Sequence, residues 1–227
     1  MALERSTGSN YYGNLYSNKY LKNEEISFTS IVENKKRYLF LKRVLDIVIA
    51  LIALVVAFPI IAFTSILIKL ESKGPAFFTQ ERMGLNGKKF YIYKLRSMRV
   101  DAEKDGPQWA SKNDSRVTRV GKFIRKTRID ELPQLINVLK GDMSIFGPRP
   151  ERPVFVEQFS REIPGFEKRL LVKPGLSGWA QVNGGYDISP KEKLEYDLFY
   201  IQNMNMKLDF LIFVKTIKVL ITGDGAR

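Results

Sequence analysis

Apolar positions along this 227-residue chain fall into one long block and several short periodic runs. Residues 1 to about 34 are polar and aperiodic, rich in Ser, Asn and Tyr, and predict a solvated tail. Within it, Tyr11, Tyr12, Tyr16 and Tyr20 are candidates for a binding or modification element. No apolar stretch of signal-peptide type follows the start. The long block then runs from Ile47 to Ile68 without a charge. After Leu70 the pattern becomes that of a compact folded unit. Asn86-Gly87 is a hairpin signal between β-prone runs at Phe77–Arg82 and Lys89–Leu95. Asp101 to Asn113 reads as a polar loop, and Val117, Val120 and Ile124 have helical spacing. Further helices are predicted over Pro133–Leu139, ended by Gly141, over Val154–Phe159 and over Lys191–Ile201. Gly147–Pro153 and Pro174–Gly185 read as rigid or glycine-punctuated loops. A last amphipathic helix carries Leu208, Leu211, Ile212, Lys215, Lys218 and Val219, a composition that suits a membrane interface or packing on the core. The fold class is α+β, mostly helical, with a small β-hairpin. The divisions are a polar tail over 1–40, an apolar helix over 41–70 and a folded domain over 71–227.

The apolar block is about 22 residues long, enough to cross a bilayer core as a helix. Lys35-Lys36-Arg37 and Lys42-Arg43 precede it, and Lys69 and Lys73 follow. Both flanks are basic, so the two ends compete for the cytosolic side. Pro59, after Phe58, removes a helical hydrogen bond and bends the axis. Two readings stand on these residues. One is an ordinary span with a tolerated proline. The other is a bent, re-entrant helix with both basic flanks on one side, in which Thr64 and Ser65 help satisfy freed carbonyls.

Composition narrows the chemistry. The chain has no cysteine and no histidine, which removes thiolate nucleophiles, the usual zinc sites and imidazole acid–base catalysis. Carboxylates, Lys, Tyr, Ser/Thr and a hard cation such as Mg²⁺ remain. A formal charge of +13 fits anionic lipid, phosphorylated substrates or nucleic acid. No helix-turn-helix, RNP or finger pattern supports nucleic acid, and the apolar block favours a membrane surface.

Between Arg125 and Pro150 the residue types converge on a phosphoanion. Asp130 and Glu131 are adjacent and flanked by arginines. At a turn entering a helix both can address one small site, although acids there also serve as ordinary caps. Arg116, Arg119, Lys122 and Arg125 recur every third residue, as a solvated basic face or a cationic wall for a diphosphate. Arg149 lies between Pro148 and Pro150, which fix its backbone and reduce the entropy lost on clamping an anion. Lys94 and Arg96 add cations at the end of the hairpin. A carboxylate can attack a phosphate only where arginines and a metal cancel the repulsion, so Asp130 or Glu131 with Mg²⁺ is coherent, without a choice between them.

These segments resemble a known family. The basic flank and apolar run Lys42–Lys69, Phe78-Thr79-Gln80-Glu81-Arg82, Tyr93-Lys94-Leu95-Arg96-Ser97-Met98, Ile129-Asp130-Glu131-Leu132-Pro133-Gln134-Leu135, Asn137 to Ser144, Gly147-Pro148-Arg149-Pro150 and Lys173 to Gly184 look like the bacterial sugar transferases, the monotopic phosphoglycosyl transferases. The likeness covers roughly Lys42 to Ala226, with its motifs in family order. It implies transfer of a sugar 1-phosphate from a UDP-sugar to undecaprenyl phosphate with release of UMP, as the first step of a capsule, exopolysaccharide or related glycan. It further implies ping-pong catalysis through a phosphosugar on Asp130, with Glu131 binding Mg²⁺. Lys94, Arg125 and Arg149 match family cations at the active site, and Asp209 matches a family acid assigned to substrate binding. The apolar run is then a re-entrant helix broken at Phe58-Pro59, where family members often carry Ser-Pro. Amphipathic helices lie at the interface and the catalytic domain sits on the cytoplasmic face of the cell (inner) membrane. The family includes homodimers. The chain looks like a minimal catalytic form with a short tail. Glu151-Arg152-Pro153 points to glucose or galactose as the sugar, with an N-acetylated sugar as the alternative. A non-catalytic basic membrane scaffold, or a nucleic-acid-binding membrane protein, would instead consume no nucleotide sugar.

Overall fold

The computed structural model describes residues 28–104, 106, 114–184 and 188–222. The tail tyrosines and part of the predicted loop after Asp101 lie outside them. Helical structure begins inside the segment assigned to the tail. Helix α1 (Phe28–Glu33) precedes α2 (Lys36–Glu71), a 36-residue helix. The first turns of this region are tied down by specific contacts. Lys35 Nζ donates to the carbonyls of Gln202 (3.0 Å) and Met204 (2.7 Å), and the Lys168 ammonium lies 5.2 Å from the Phe28 ring centroid.

Helix α2 contains an 18-residue window of mean hydropathy 3.0, long and apolar enough to cross a membrane. It is not a core helix, because Val55, Phe58 and Phe63 are 76%, 68% and 64% exposed. A narrow stripe faces inward: Lys42, Asp46, Ala50, Ala57, Ile61, Thr64 and Ile68, at helical spacing. The helical backbone is continuous through Phe58-Pro59. Ser65 Oγ donates to Ile61 O (2.7 Å), not to the Val55 carbonyl that Pro59 leaves without a donor.

The hairpin is as the pattern predicts. Strands β1 (Phe77–Met83) and β2 (Lys89–Leu95) pair antiparallel from Phe77↔Leu95 to Met83↔Lys89. Asn86 and Gly87 take positive φ in the turn, where an Asn-Gly pair is least strained. Helix α3 (Arg119–Lys126) starts at Thr118, whose hydroxyl accepts from Gly121 N. A 3-10 turn (Ile129–Glu131) leads to α4 (Gln134–Lys140), which ends at left-handed Gly141. Helix α5 (Pro153–Glu162) begins with proline, and so does α7 (Pro190–Asn203), which carries a full Ser189/Glu192 capping box. Helix α8 is Met206–Thr222.

Three elements here are not legible in the pattern. Strands β3 (Ser144–Phe146) and β4 (Gly175–Ser177) pair in parallel inside segments read as loops, and α6 (Trp179–Asn183) follows. Three residues are too few to show a period of two. The pairing rests on close backbone approach. A Cβ on Gly175 would lie 2.1 Å from Gly147 N, and one on Gly178 would lie 2.2 Å from Gly147 O. The Gly-Pro-Arg-Pro and Lys-Pro-Gly-Leu-Ser-Gly segments are thus two halves of one ribbon. The core joins the inward stripe of α2 with β2, α4, β3, α7 and α8. Helix α8 answers both sequence readings: Leu208 and Ile212 are buried, while Phe210, Val214 and Ile221 remain exposed.

Candidate active site

The turn that carries the acidic pair is forced by its neighbours. Arg128 sits in the left-handed region (φ 60°), a costly backbone for a residue with a Cβ. It reverses the chain after α3 and starts the 3-10 turn. The residue that opens α4 is Pro133, and no side chain caps that helix. Neither carboxylate is therefore spent as its cap, and both are buried, with Asp130 7% and Glu131 9% exposed.

Their environments differ sharply. Glu131 Oε1 accepts from Lys94 Nζ at 2.9 Å. Arg149 grips the same carboxylate with both terminal nitrogens, Nη1 reaching Oε2 at 3.3 Å and Nη2 reaching Oε1. Burial alone would raise the Glu131 pKa, but Arg149 and Lys94 hold it well below the usual carboxylate range. Among the described residues Asp130 makes no side-chain hydrogen bond or ion pair. Burial pushes its pKa up to about 6, against the pull of Lys94 and with a push from Glu131. Lys94 is itself lowered by burial, opposed by Glu131, and Arg149 is raised chiefly by Glu131. Two adjacent acids driven apart in this way are suited to separate roles.

Each partner is delivered by a different element. Lys94 comes from the end of β2, and β2 is fastened to α4 by buried Asn137. Its Nδ2 donates to Tyr91 O (2.8 Å) and its Oδ1 accepts from Tyr93 N (3.0 Å). Sequence reasoning assigned Asn137 no role; the signal available was a polar residue on the apolar face of α4. Arg149 comes from the loop after β3, pinned from two sides: Arg169 Nη2 donates to Arg149 O (2.9 Å) and Arg82 Nη1 to Pro150 O (3.3 Å). Arg125 comes from the last turn of α3 and lines the same cavity of about 470 Å³. Lys94, Arg125, Asp130, Glu131 and Arg149, all predicted from sequence, thus meet in one space. Arg152, Phe155, Gln181 and Lys193 also line it.

Some expectations change. Arg116, Arg119, Lys122 and Arg125 do not form one wall. Arg116 precedes α3 and pairs with Asp114, and only Arg116 and Arg125 of the four line the cavity. Asp209 does not line it. It lies in the first turn of α8, where its carboxylate accepts from Lys42 Nζ (2.8 Å), Tyr38 Oη (2.8 Å) and Tyr200 Oη (2.9 Å). Glu151 is buried against Lys193 (2.8 Å), Arg169 (3.8 Å) and Arg82 (3.9 Å). It braces the Arg149 loop from within the lining of the same cavity. Phe58 and Pro59 lie in the apolar part of α2, outside the cavity lining.

The family model described as bacterial sugar transferase matches residues 37–223. A UDP-N-acetylgalactosamine-undecaprenyl-phosphate N-acetylgalactosaminephosphotransferase of Aeromonas hydrophila is 53% identical over 193 residues, covering 84% of this chain and 46% of the relative. A Bacillus subtilis protein, provisionally named an undecaprenyl-phosphate N-acetylgalactosaminyl 1-phosphate transferase, is 63% identical over 147 residues, covering 65% of this chain and 82% of the relative. A UDP-glucose:undecaprenyl-phosphate glucose-1-phosphate transferase of Xanthomonas campestris pv. campestris is 42% identical over 191 residues, 82% of this chain and 40% of the relative. The chain therefore spans less than half the length of the Aeromonas and Xanthomonas relatives.

Proposed function

The chain belongs to the bacterial sugar transferases, and from that premise we propose that it transfers a sugar 1-phosphate from a UDP-sugar to undecaprenyl phosphate, releasing UMP. The observation that carries the mechanism is the contrast within the acidic pair: Glu131 is gripped by Lys94 and Arg149, while Asp130, in the same cation-lined cavity, makes no side-chain bond among the described residues. An Asp130 carboxylate oxygen attacks the phosphorus that bears the sugar. The bond from that phosphorus to the bridging oxygen breaks, and UMP leaves with the electron pair. The aspartyl phosphosugar is then attacked at phosphorus by an oxygen of undecaprenyl phosphate. The carboxylate is regenerated, and undecaprenyl diphosphate sugar is released. Arg149, Lys94 and Arg125 offset the charge that both attacks concentrate on the phosphoryl oxygens.

Among the described residues no three acids cluster as a closed metal cage. The donors present fit a magnesium ion that arrives with a diphosphate, since Mg²⁺ commonly takes one or two carboxylates plus phosphate oxygens and water. Glu131 would hold it beside Lys94 and Arg149, using lone pairs those cations leave. When bound it supplies further charge neutralisation at the diphosphate.

The substrates favour a membrane boundary, because one is lipid-bound and the other water-soluble. The exposed apolar surface of α2 and α8 supports insertion from one side, with the domain on the cytoplasmic face of the cell membrane. A re-entrant path is favoured by the placement of both ends of α2. Lys42 and Asp46 are bonded to the same folded unit as Glu71 and Ser72, whereas a simple span separates its ends by about 30 Å of hydrocarbon. The greater identity to relatives named for N-acetylgalactosamine favours an N-acetylated donor over the glucose or galactose read from Glu151-Arg152-Pro153.

Purified protein in lipid, given undecaprenyl phosphate, Mg²⁺ and a panel of UDP-sugars, is expected to release UMP with one donor. Incubation with that donor and no acceptor should add one hexose or N-acetylhexosamine phosphate to the peptide containing Asp130. Turnover that survives in Asp130→Asn would overturn the nucleophile assignment.

A further inference from the structure

Both ends of α2 are bonded to the elements that carry the cavity's cations, and the chemistry above uses none of those bonds. At the C-terminal end, Arg96, two residues beyond Lys94, donates to Lys73 O (2.7 Å) and Ser72 O (2.9 Å). Glu71 accepts from Arg119 N (2.8 Å) at the start of α3, the helix that carries Arg125. At the N-terminal end, Arg43 donates to Leu139 O (2.9 Å) at the close of α4, the helix that follows the acidic pair. Three residues on, buried Asp46 accepts through Oδ1 from Ile145 N (2.9 Å) and Ser144 Oγ (3.0 Å), both in β3.

We propose that Asp46 is a positioning residue for Arg149: through β3, the membrane helix sets how that arginine grips Glu131. The inference rests on the reading that Arg149 serves the transfer. Strand β3 pairs with β4 through Ser144↔Gly175 and Phe146↔Ser177, so the intervening Ile145 amide faces away from β4. Asp46 is the group that satisfies it. The lever from there to Arg149 is short and stiff, running through Phe146, Gly147 and Pro148, with Gly147 N bonded to Ser177 O (2.9 Å). The far end is held by Arg169 at the Arg149 carbonyl. With Asp46 removed, the Ile145 amide loses a buried partner, and apart from its pairing with β4 the strand keeps the longer bond from Tyr200 Oη to Phe146 O (3.3 Å).

The test uses the full chain in lipid. Asp46→Ala should lower kcat about 10- to 100-fold, the cost of a misplacement of about 1 Å, with KM for the UDP-sugar moved less than about threefold. Asp46→Asn keeps an acceptor oxygen and should restore kcat to within about threefold. Ser144→Ala, which removes one donor and leaves the Ile145 bond, should give a smaller loss if Asp46→Ala folds poorly. In an Arg149→Lys background, Asp46→Ala should cost less than about threefold, because the geometry it protects is already lost. Amide exchange should quicken across 144–149 and not across 89–95, a readout independent of donor, acceptor or turnover. Full additivity with Arg149→Lys, or unchanged exchange across 144–149, would overturn the proposal. Absence of turnover in the unaltered chain with local exchange still quickened would instead discard the transferase reading and retain the Asp46–β3 link.

Discussion

Burying the Asp130 carboxylate costs the fold stability, and the size of that cost can be measured. Burial lifts its pKa from an ordinary 3.8 to about 6. A shift of roughly two units corresponds to about 3 kcal/mol of disfavour for the charged form in the folded state. The sign follows from proton binding. Between about pH 4 and pH 6 the folded protein holds a proton that the unfolded chain has released. Stability therefore falls as pH rises through that window and does not return above it. Asparagine cannot ionise, so Asp130→Asn should stabilise the protein by about 3 kcal/mol at pH 8 and by almost nothing near pH 4. For a domain of this size that is an increase in Tm of about 6–12 °C at pH 8. Thermal unfolding of both proteins in the same lipid nanodiscs, from pH 4 to 8, reads the difference directly. On the proposed mechanism, the ionised fraction that would attack phosphorus falls as pH drops through the same window. Activity at pH 5 should accordingly be about one tenth of that at pH 8. An Asp130→Asn protein that is no more stable at pH 8, or is equally more stable at pH 4, would refute the assignment of a buried, destabilised carboxylate.

Two further outcomes separate the roles of the other acids. Asp209→Asn leaves the Lys42 ammonium without its carboxylate in a buried site, and should lower stability by about 3–5 kcal/mol in a denaturation series. Its kcat per folded molecule should stay within about threefold of the unaltered chain; a selective rise in KM for the UDP-sugar would return Asp209 to substrate binding. Glu131→Gln removes the charge that Lys94 and Arg149 share, so half-maximal activity should require at least about tenfold more Mg²⁺, and an unchanged metal titration would remove Glu131 from that role.

The legible parts of the molecule were those with strong local chemistry. Asn86-Gly87 marked the hairpin because few other pairs take two positive φ angles without strain. The apolar block marked α2 by length and lack of charge. Asp130, Glu131, Arg125 and Arg149 stood out because carboxylates, arginines and prolines at close spacing together suit a phosphoanion, although each alone also has an ordinary structural use. The parts that were missed depend on partners distant in sequence. Nothing local tells that Ser144–Phe146 is a strand, since its partner lies about thirty residues on and each has only three residues. Nothing local separates Asp209 from the cavity acids either, since Lys42, Tyr38 and Tyr200 come from other helices. Phe28 to Tyr38 read as tail because its inward face is short and interrupted by polar residues: Phe28, Val32 and Tyr38 pack on the core, and Lys35 bonds the carbonyls of Gln202 and Met204.

The same long-range bonds explain how adjacent acids acquire opposite characters. Asp130 and Glu131 share a turn and nearly the same burial, so neither sequence position nor desolvation distinguishes them. The difference is made by Lys94, from the end of β2, and Arg149, from the loop after β3, which both converge on Glu131. Each strand is fixed in turn to α2, one through Arg96 and the other through Asp46. With those two cations committed to Glu131, Asp130 is drawn to them only at longer range and, among the described residues, has no direct side-chain bond of its own. On the proposed reaction, a diphosphate entering the cavity would compete with Glu131 for the same arginine and lysine, and the Glu131 oxygens those cations release would be open to a cation.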